Sequence, residues 1–205
     1  MRRETMAPGP RDRAVLRRLE AAIADAVGGR ERVRIAFSGG LASTVIAALV
    51  RKRAEMVCIV AGTKASPDVR AAEILKDFLD YRTEVVVLGR RDVERLLEDL
   101  RTRGRGLSSA ECGSLVPLWA ARSGADRHLV AGFGSQRMRP ETRKVLADGG
   151  TVLPLVAATR GSPLDRSGLR AIAKLLGVPP GLVGVPRRPP ARGAGIVEFL
   201  RRHDG

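Results

Sequence analysis

A chain of 205 residues is long enough for one domain with a sizeable core and short for two. Hydrophobic residues make up 44% and charged residues 29%, no apolar run approaches the roughly 18 to 20 residues of a membrane span, and no charged-then-apolar leader opens the chain. Membrane-spanning, secreted and wholly disordered classes are therefore set aside. Two cysteines, Cys58 and Cys112, are too few for a disulfide framework or a thiolate zinc site, so a cytoplasmic location is expected. Lys plus Arg total 37 against 22 acidic residues, a net charge of +15 that favours polyanions. The surplus lies mostly in the second half, +5 over residues 101–143 and +6 over 160–205.

In chain order, residues 1–13 mix Pro, Gly and charge without an apolar face and read as a flexible basic leader before a single domain, 14–205. From Leu16, the apolar positions Leu19, Ile23, Ala26 and Val27 keep helical spacing until Gly28 and Gly29. Val33 to Phe37 predict a strand, followed by Ser38, Gly39 and Gly40 and a small-residue helix from Leu41 to Val50. The pattern recurs with a strand over Met56 to Ala61, a helix over Pro67 to Leu79, a strand over Glu84 to Leu88 and a helix marked by Val93, Leu96, Leu97 and Leu100. Gly104 to Cys112 is expected as a loop, Leu115 to Arg122 as a helix and His128 to Gly132 as a fourth strand. The proline-punctuated last third predicts one helix, Leu164 to Leu176, then a Pro/Arg/Gly-rich loop and a short terminal helix. Alternating strands and helices, with near-continuously apolar strands, imply α/β architecture: a Rossmann-like parallel sheet with helices on both faces and right-handed crossovers.

The chemistry-bearing segment is RIAFSGGLASTVIAAL, residues 34–49. After a buried strand, Gly39 and Gly40 permit close backbone approach, and Ser38, Ser43 and Thr44 bring hydroxyls to the N-terminus of the following helix. Main-chain N–H groups and the helix dipole favour an anion there, so the turn reads as a phosphate cradle.

This segment resembles the PP-loop, Ser-Gly-Gly-x-Asp-Ser, of ATP pyrophosphatases, and in particular the synthetase domain of the asparagine synthetase and β-lactam synthetase group. Three further stretches agree in order: VAGTKASPDVRAAEILKDFL with the family's second strand and Ser-x-Asp loop, SLVPLWAARSGADRHLVAGFGSQ with its later helix, strand and Gly-x-Gly turn, and RRPPARGAGIVEFL with its basic loop. The resemblance spans residues 15 to 202 and implies an adenine nucleotide alpha hydrolase-like fold. It implies ATP as cofactor, a small carboxylate attacking the α-phosphate, pyrophosphate leaving from the PP-loop, and an amine displacing AMP to form an amide. On that reading Ser38, Gly39, Gly40, Ser43 and Thr44 hold pyrophosphate, the backbone of Val60 to Gly62 contacts adenine, and Gly132, Gly134 and Ser135 border the reacting carbonyl. Arg187 or Arg188 takes the place of the basic residue that stabilises phosphate charge in the transition state.

The sequence departs from that pattern at two positions that usually bind Mg2+: Ala42 replaces the PP-loop Asp, and Gln136 replaces the acid after the Gly-x-Gly turn. Phe133 stands where the β-lactam-forming branch has Tyr. Two expectations stay open: other groups take over charge neutralisation, or the domain is a catalytically inactive relative acting as an RNA-binding or ribonucleoprotein component. The chain begins Met1, Arg2, Arg3, without an N-terminal Cys glutaminase, so the nitrogen is expected from free ammonia, a separate glutaminase or an amine supplied by the substrate.

His128 at a strand start, Cys58 within MVCIV and Trp119 at helical spacing with Leu115 and Leu118 are expected to be structural. Asp68 fits both the Ser-x-Asp loop and an ordinary helix start, and Lys64 either reaches phosphate or is solvated. Arg101, Arg103 and Arg105, then Arg137, Arg139 and Arg143, then Arg187, Arg188 and Arg192, form the footprint available to RNA.

Overall fold

In the computed structural model, residues 9–79, 81–122, 127–133, 138–159, 164–183 and 189–201 are described, the side chains of 74–79 and 182 excepted. The elements run α1 (Pro10–Val27), β1 (Arg32–Ala36), α2 (Leu41–Val50), β2 (Glu55–Gly62), α3 (Pro67–Leu79), β3 (Arg82–Val87), α4 (Arg90–Arg103), α5 (Ser109–Ala121) and β4 (Leu129–Ala131). They continue with α6 (Pro140–Asp148), β5 (Thr151–Val152), α7 (Pro154–Thr159), α8 (Arg166–Leu175), α9 (Pro180–Val183), α10 (Pro190–Gly193) and α11 (Ile196–Arg201).

The strands form one parallel sheet in the order β3-β2-β1-β4-β5. The order runs outward in one direction from β1 to β3 and in the other from β1 to β5, so the topological switch point falls between β1 and β4. Open α/β sheets bind ligands outside the carboxyl ends of their strands at this point. The period-2 alternation of β2 divides its side chains between two cores: Met56, Cys58 and Val60 pack with α1, α2 and α8, while Val57, Ile59 and Ala61 pack with α4, α5 and α6. Leu19, Ile23, Val45, Ile46 and Ile172 fill the first core, and Leu100, Leu115, Leu129 and Leu146 the second, all fully buried. This is the two-faced α/β arrangement the sequence predicts.

Several boundaries differ. Residues 10–13, read as leader, form the first turn of α1, with Pro10 at N1 and the Asp12 carboxylate accepting from the Gly9 N–H at 2.8 Å. The stretch expected as a loop up to Cys112 is already helical from Ser109. Ser108 and Glu111 close a reciprocal capping box there, and Cys112 is buried in the helix. The segment after β4 carries α6, β5 and α7, which the sequence pattern does not reveal. Among the described residues, no helix is long and apolar enough to cross a membrane.

Candidate nucleotide site

The Phe37 N–H donates to Ile59 O at 2.8 Å, adding one rung beyond the β1–β2 ladder before the chain turns. Gly39 makes the turn at φ +65°, a left-handed conformation that a β-carbon would strain. Gly40, extended at φ −77° and ψ 157°, is the N-cap of α2. Its carbonyl accepts from the Thr44 N–H at 3.0 Å, the Thr44 hydroxyl at 3.0 Å and the Ser43 hydroxyl at 2.8 Å.

Ser38, Gly39, Gly40, Ser43 and Thr44 are thus brought together, but not all in one role. The Ser43 hydroxyl gives its one proton to Gly40 and accepts from the Ser38 N–H at 3.3 Å, while the Thr44 hydroxyl is also turned inward. Both side chains are buried and brace the loop. Ser38 is exposed, and its oxygen accepts from the Gly40 N–H at 3.3 Å. The first-turn N–H groups of α2, from Leu41, Ala42 and Ser43, lack intrahelical acceptors, no side chain caps them, and no acidic residue lies in that turn.

Gly132, directly after β4, fixes the other wall. A β-carbon there would lie 2.7 Å from both the Ala42 carbonyl carbon and the Ser43 nitrogen. Glycine is required because β4 ends against the first turn of α2, which places the loop at the switch point. Phe133 packs partly buried into the second core. Gly134, Ser135 and Gln136 lie outside the described residues, as do Arg187 and Arg188.

Residues 60–62 divide their main-chain groups between the two neighbouring strands. Ile59 O faces β1, accepting from Phe37, whereas Gly62 O faces β3, accepting from the Leu88 N–H at 2.8 Å. Alternate residues of a parallel strand serve the same neighbour. Val60 therefore turns its main-chain groups toward β3 with Gly62, and Ala61 turns its own toward the β1 side, beyond the Ala36–Ile59 pair where the ladder ends.

A C-terminal segment ties this region down. The Thr63 N–H donates to Ala194 O at 2.9 Å and the Ser66 hydroxyl to Gly193 O at 2.8 Å, while Ser66 Oγ also accepts from the Val69 N–H at 3.1 Å. Asp68, in the first turn of α3, is buried against Gly193, where no β-carbon would fit. Thr63, Ser66, Gly193 and Ala194 were not singled out from sequence; the Ser-Pro pair at 66–67 signals the helix start but not its distant partner. Lys64 is exposed on this loop.

The remaining candidates resolve as structure. His128 Nε2 lies 2.7 Å from Ala26 O and joins the start of β4 to the end of α1. Burial pushes the Cys58 thiol up to about 12 and also raises Cys112, so neither supplies a thiolate. Trp119 donates to Asp99 at 2.5 Å and stacks under the Arg122 guanidinium at 3.7 Å. Arg101 and Arg103 are ion-paired to Glu98 and Asp99, and Arg139 to Glu111, so much of this charge is answered locally. Arg90, Arg95, Arg101, Phe199 and Leu200 help line a groove of about 470 Å³ between α4 and α11, away from the Ser38–Gly40 turn.

ATP and Mg2+ fare differently against this donor set. The open first turn of α2, with glycine forced on both sides of it, fits a polyphosphate. A hard dication needs oxygen anions, yet position 42 is a methyl group, and no group of three or more His, Cys, Asp or Glu side chains capable of holding a metal occurs among the described residues. Mg2+ does not fit a protein-built site here.

Residues 14–106, which include the loop and the first three strands, match the asparagine synthase family model. No curated protein matches the chain. Among solved structures, NMN synthetase from Francisella tularensis aligns at TM-score 0.55 and 17% identity, covering 88% of this chain and 76% of that one. NAD+ synthetase from Burkholderia pseudomallei aligns at TM-score 0.55 and 20% identity, covering 91% of this chain and 74% of that one. Residues 14–106, with the Ser-Gly-Gly turn at the switch point, are thus similar to the asparagine synthase family, and the chain shares its fold with these two synthetases.

Proposed function

We propose that this domain binds ATP and acts as the synthetase unit of an amide-forming ligase of the asparagine synthetase type. The observation that carries the reading is the unclosed first turn of α2 at the switch point, reached through Ser38, Gly39 and Gly40. The N–H groups of Leu41 and Ala42 and the Ser38 hydroxyl bind the pyrophosphate end of ATP, with Ser43 and Thr44 holding the loop in shape. Ala61, between Val60 and Gly62, offers its main chain to the adenine edge. A substrate carboxylate oxygen then attacks the α-phosphorus, the bond to the bridging β-phosphate oxygen breaks, and pyrophosphate departs. An amine attacks the acyl carbon of the adenylate, loses a proton and expels AMP. Gly132, Gly134 and Ser135 border that carbon, and Arg187 and Arg188 stabilise the charge developing on the phosphates.

The expected result is pyrophosphate release from ATP in the presence of a small carboxylate such as aspartate and of ammonia, measured with and without magnesium. No release across a broad panel of carboxylates and amines would overturn the catalytic reading. Binding of RNA by a catalytically silent domain is the second reading, supported by the +15 charge. A salt-insensitive interaction, or one unchanged when Arg101, Arg103 and Arg105 are neutralised, would remove it.

A further inference from the structure

We infer that the free edge of the sheet is an interface between two copies of this chain, with β3 pairing antiparallel to β3 of the second copy about a two-fold axis at Val85. β3 ends the strand order, so one side of it has no partner strand. The Leu88 N–H donates to Gly62 O, and Val86 lies level with Ala61, so Glu84, Val86 and Leu88 turn their main-chain groups toward β2. Thr83, Val85 and Val87 turn theirs outward. Their side chains share one face of the sheet, where Val85 is 40% and Val87 57% exposed, the exposed large hydrophobic side chains among the described residues. Sheet edges are ordinarily blunted by brevity, by Lys or Pro, or by a bulge. The opposite edge, β5, is two residues long. β3 runs six residues, Arg-Thr-Glu-Val-Val-Val, without Lys or Pro, and pairs with β2 from Arg82 to Val87 without a bulge.

This edge fits itself in one register. A two-fold axis at Arg82 or at Glu84 would set like charges directly opposite each other, which is unfavourable. At Thr83 it would place Val87 opposite residue 79, before the strand begins, and leave it uncovered. At Val86 or Val87 the pairing would run toward α4, which starts at Arg90. At Val85 it aligns residues 83–87 with themselves: Val85 meets Val85, each Thr83 meets Val87, and each Glu84 meets Val86. Val85–Val85 and the two Thr83–Val87 pairs then exchange hydrogen bonds through the outward main-chain groups, and the two exposed valines of each copy cover those of the other.

Sedimentation of the full chain over a range of concentrations tests this, and its outcome is independent of the nucleotide site. We expect a dimer of twice 22.0 kDa. Val85→Pro should raise its dissociation constant about tenfold or more, because both hydrogen bonds of the central pair lose their donor. That N–H makes no bond to β2, so the ladder within each copy is kept. Val87→Lys, at a side chain already exposed, should weaken the dimer in the same direction and decides the matter if the proline variant does not fold. A chain that stays monomeric at every concentration, or a dimer that Val87→Lys leaves undisturbed, would overturn the inference. In Val85→Cys the facing Cα atoms would lie about 5.5 Å apart, within disulfide reach, and the native Cys58 and Cys112 are buried. Air oxidation should therefore link the two copies through position 85 and not, in Val87→Cys, through position 87. No link through 85, or a link through 87, would overturn the register.

Discussion

At the start of α5, Ser108 and Glu111 close the helix on itself. The Ser108 oxygen accepts from the Glu111 N–H at 3.3 Å, the Glu111 carboxylate accepts from the Ser108 N–H at 2.9 Å, and Arg139 and Thr142 bind the same carboxylate. At the start of α2, Gly40 has no side chain to offer and no acid follows. Asp12 sits in the first turn of α1, Asp68 in that of α3, Asp92 in that of α4 and Glu141 in that of α6, while Asp165 caps α8. Among described helices of eight residues or more, α2 alone lacks both an acid in its first turn and a side-chain cap. A cap stabilises a helix by about 1 kcal/mol, and the chain places one or a first-turn acid on each of its other long described helices.

The contrast can be broken most severely at the wall beside it. Gly132→Ala should cost about 1–3 kcal/mol in chemical denaturation, because the new methyl group meets the main chain of Ala42 and Ser43, which cannot rotate away. Pyrophosphate binding should fall with it. Gly40→Asp makes α2 resemble its neighbours: thermal stability should hold or rise slightly, while pyrophosphate affinity drops by about tenfold or more, since a fixed negative charge now occupies the anion's place. A variant that keeps full affinity would show that the anion binds elsewhere.

The opposite change, Ser108→Ala, should cost about 1 kcal/mol and leave pyrophosphate binding untouched. The Ser108 N–H, with its hydroxyl, Arg139 and Thr142, holds the Glu111 carboxyl below the ordinary glutamate range despite burial. A carboxyl lowered on folding contributes stability that is complete above its unfolded pKa and disappears as pH falls through the folded one. Glu111→Gln should therefore flatten the acid limb of a stability-versus-pH curve.

How far the sequence discloses this molecule depends on which residues carry each element. The boundaries of α2 and α3 are readable to the residue, because a glycine turn or a Ser-Pro pair precedes a sustained apolar pattern. Prolines were harder to interpret. Six helices, α1, α3, α6, α7, α9 and α10, begin on one, where the missing N–H costs nothing and φ is already helical. Read as punctuation of irregular chain, the same prolines concealed α6 and α7. β5 is two residues long and leaves no periodicity to detect. The start of α5 carries a Ser-x-x-Glu signal at 108–111 that the loop expectation for Gly104 to Cys112 passes over. In the loop, sequence indicates which residues meet but not how hydroxyl protons are shared. Only the geometry shows that the Ser43 and Thr44 hydroxyls both donate to Gly40 O.

The tie between Ser66 and Gly193, 127 positions apart, sets a timetable for synthesis. A nascent chain can pair its first strands and coil α2 while still on the ribosome, but the Thr63 amide and Ser66 hydroxyl must wait for carbonyl partners translated near the end. Until those arrive, the loop after β2 is untied, so a ribosome-stalled fragment lacking residues 193–194 would carry the Ser38–Gly40 turn beside an untethered loop.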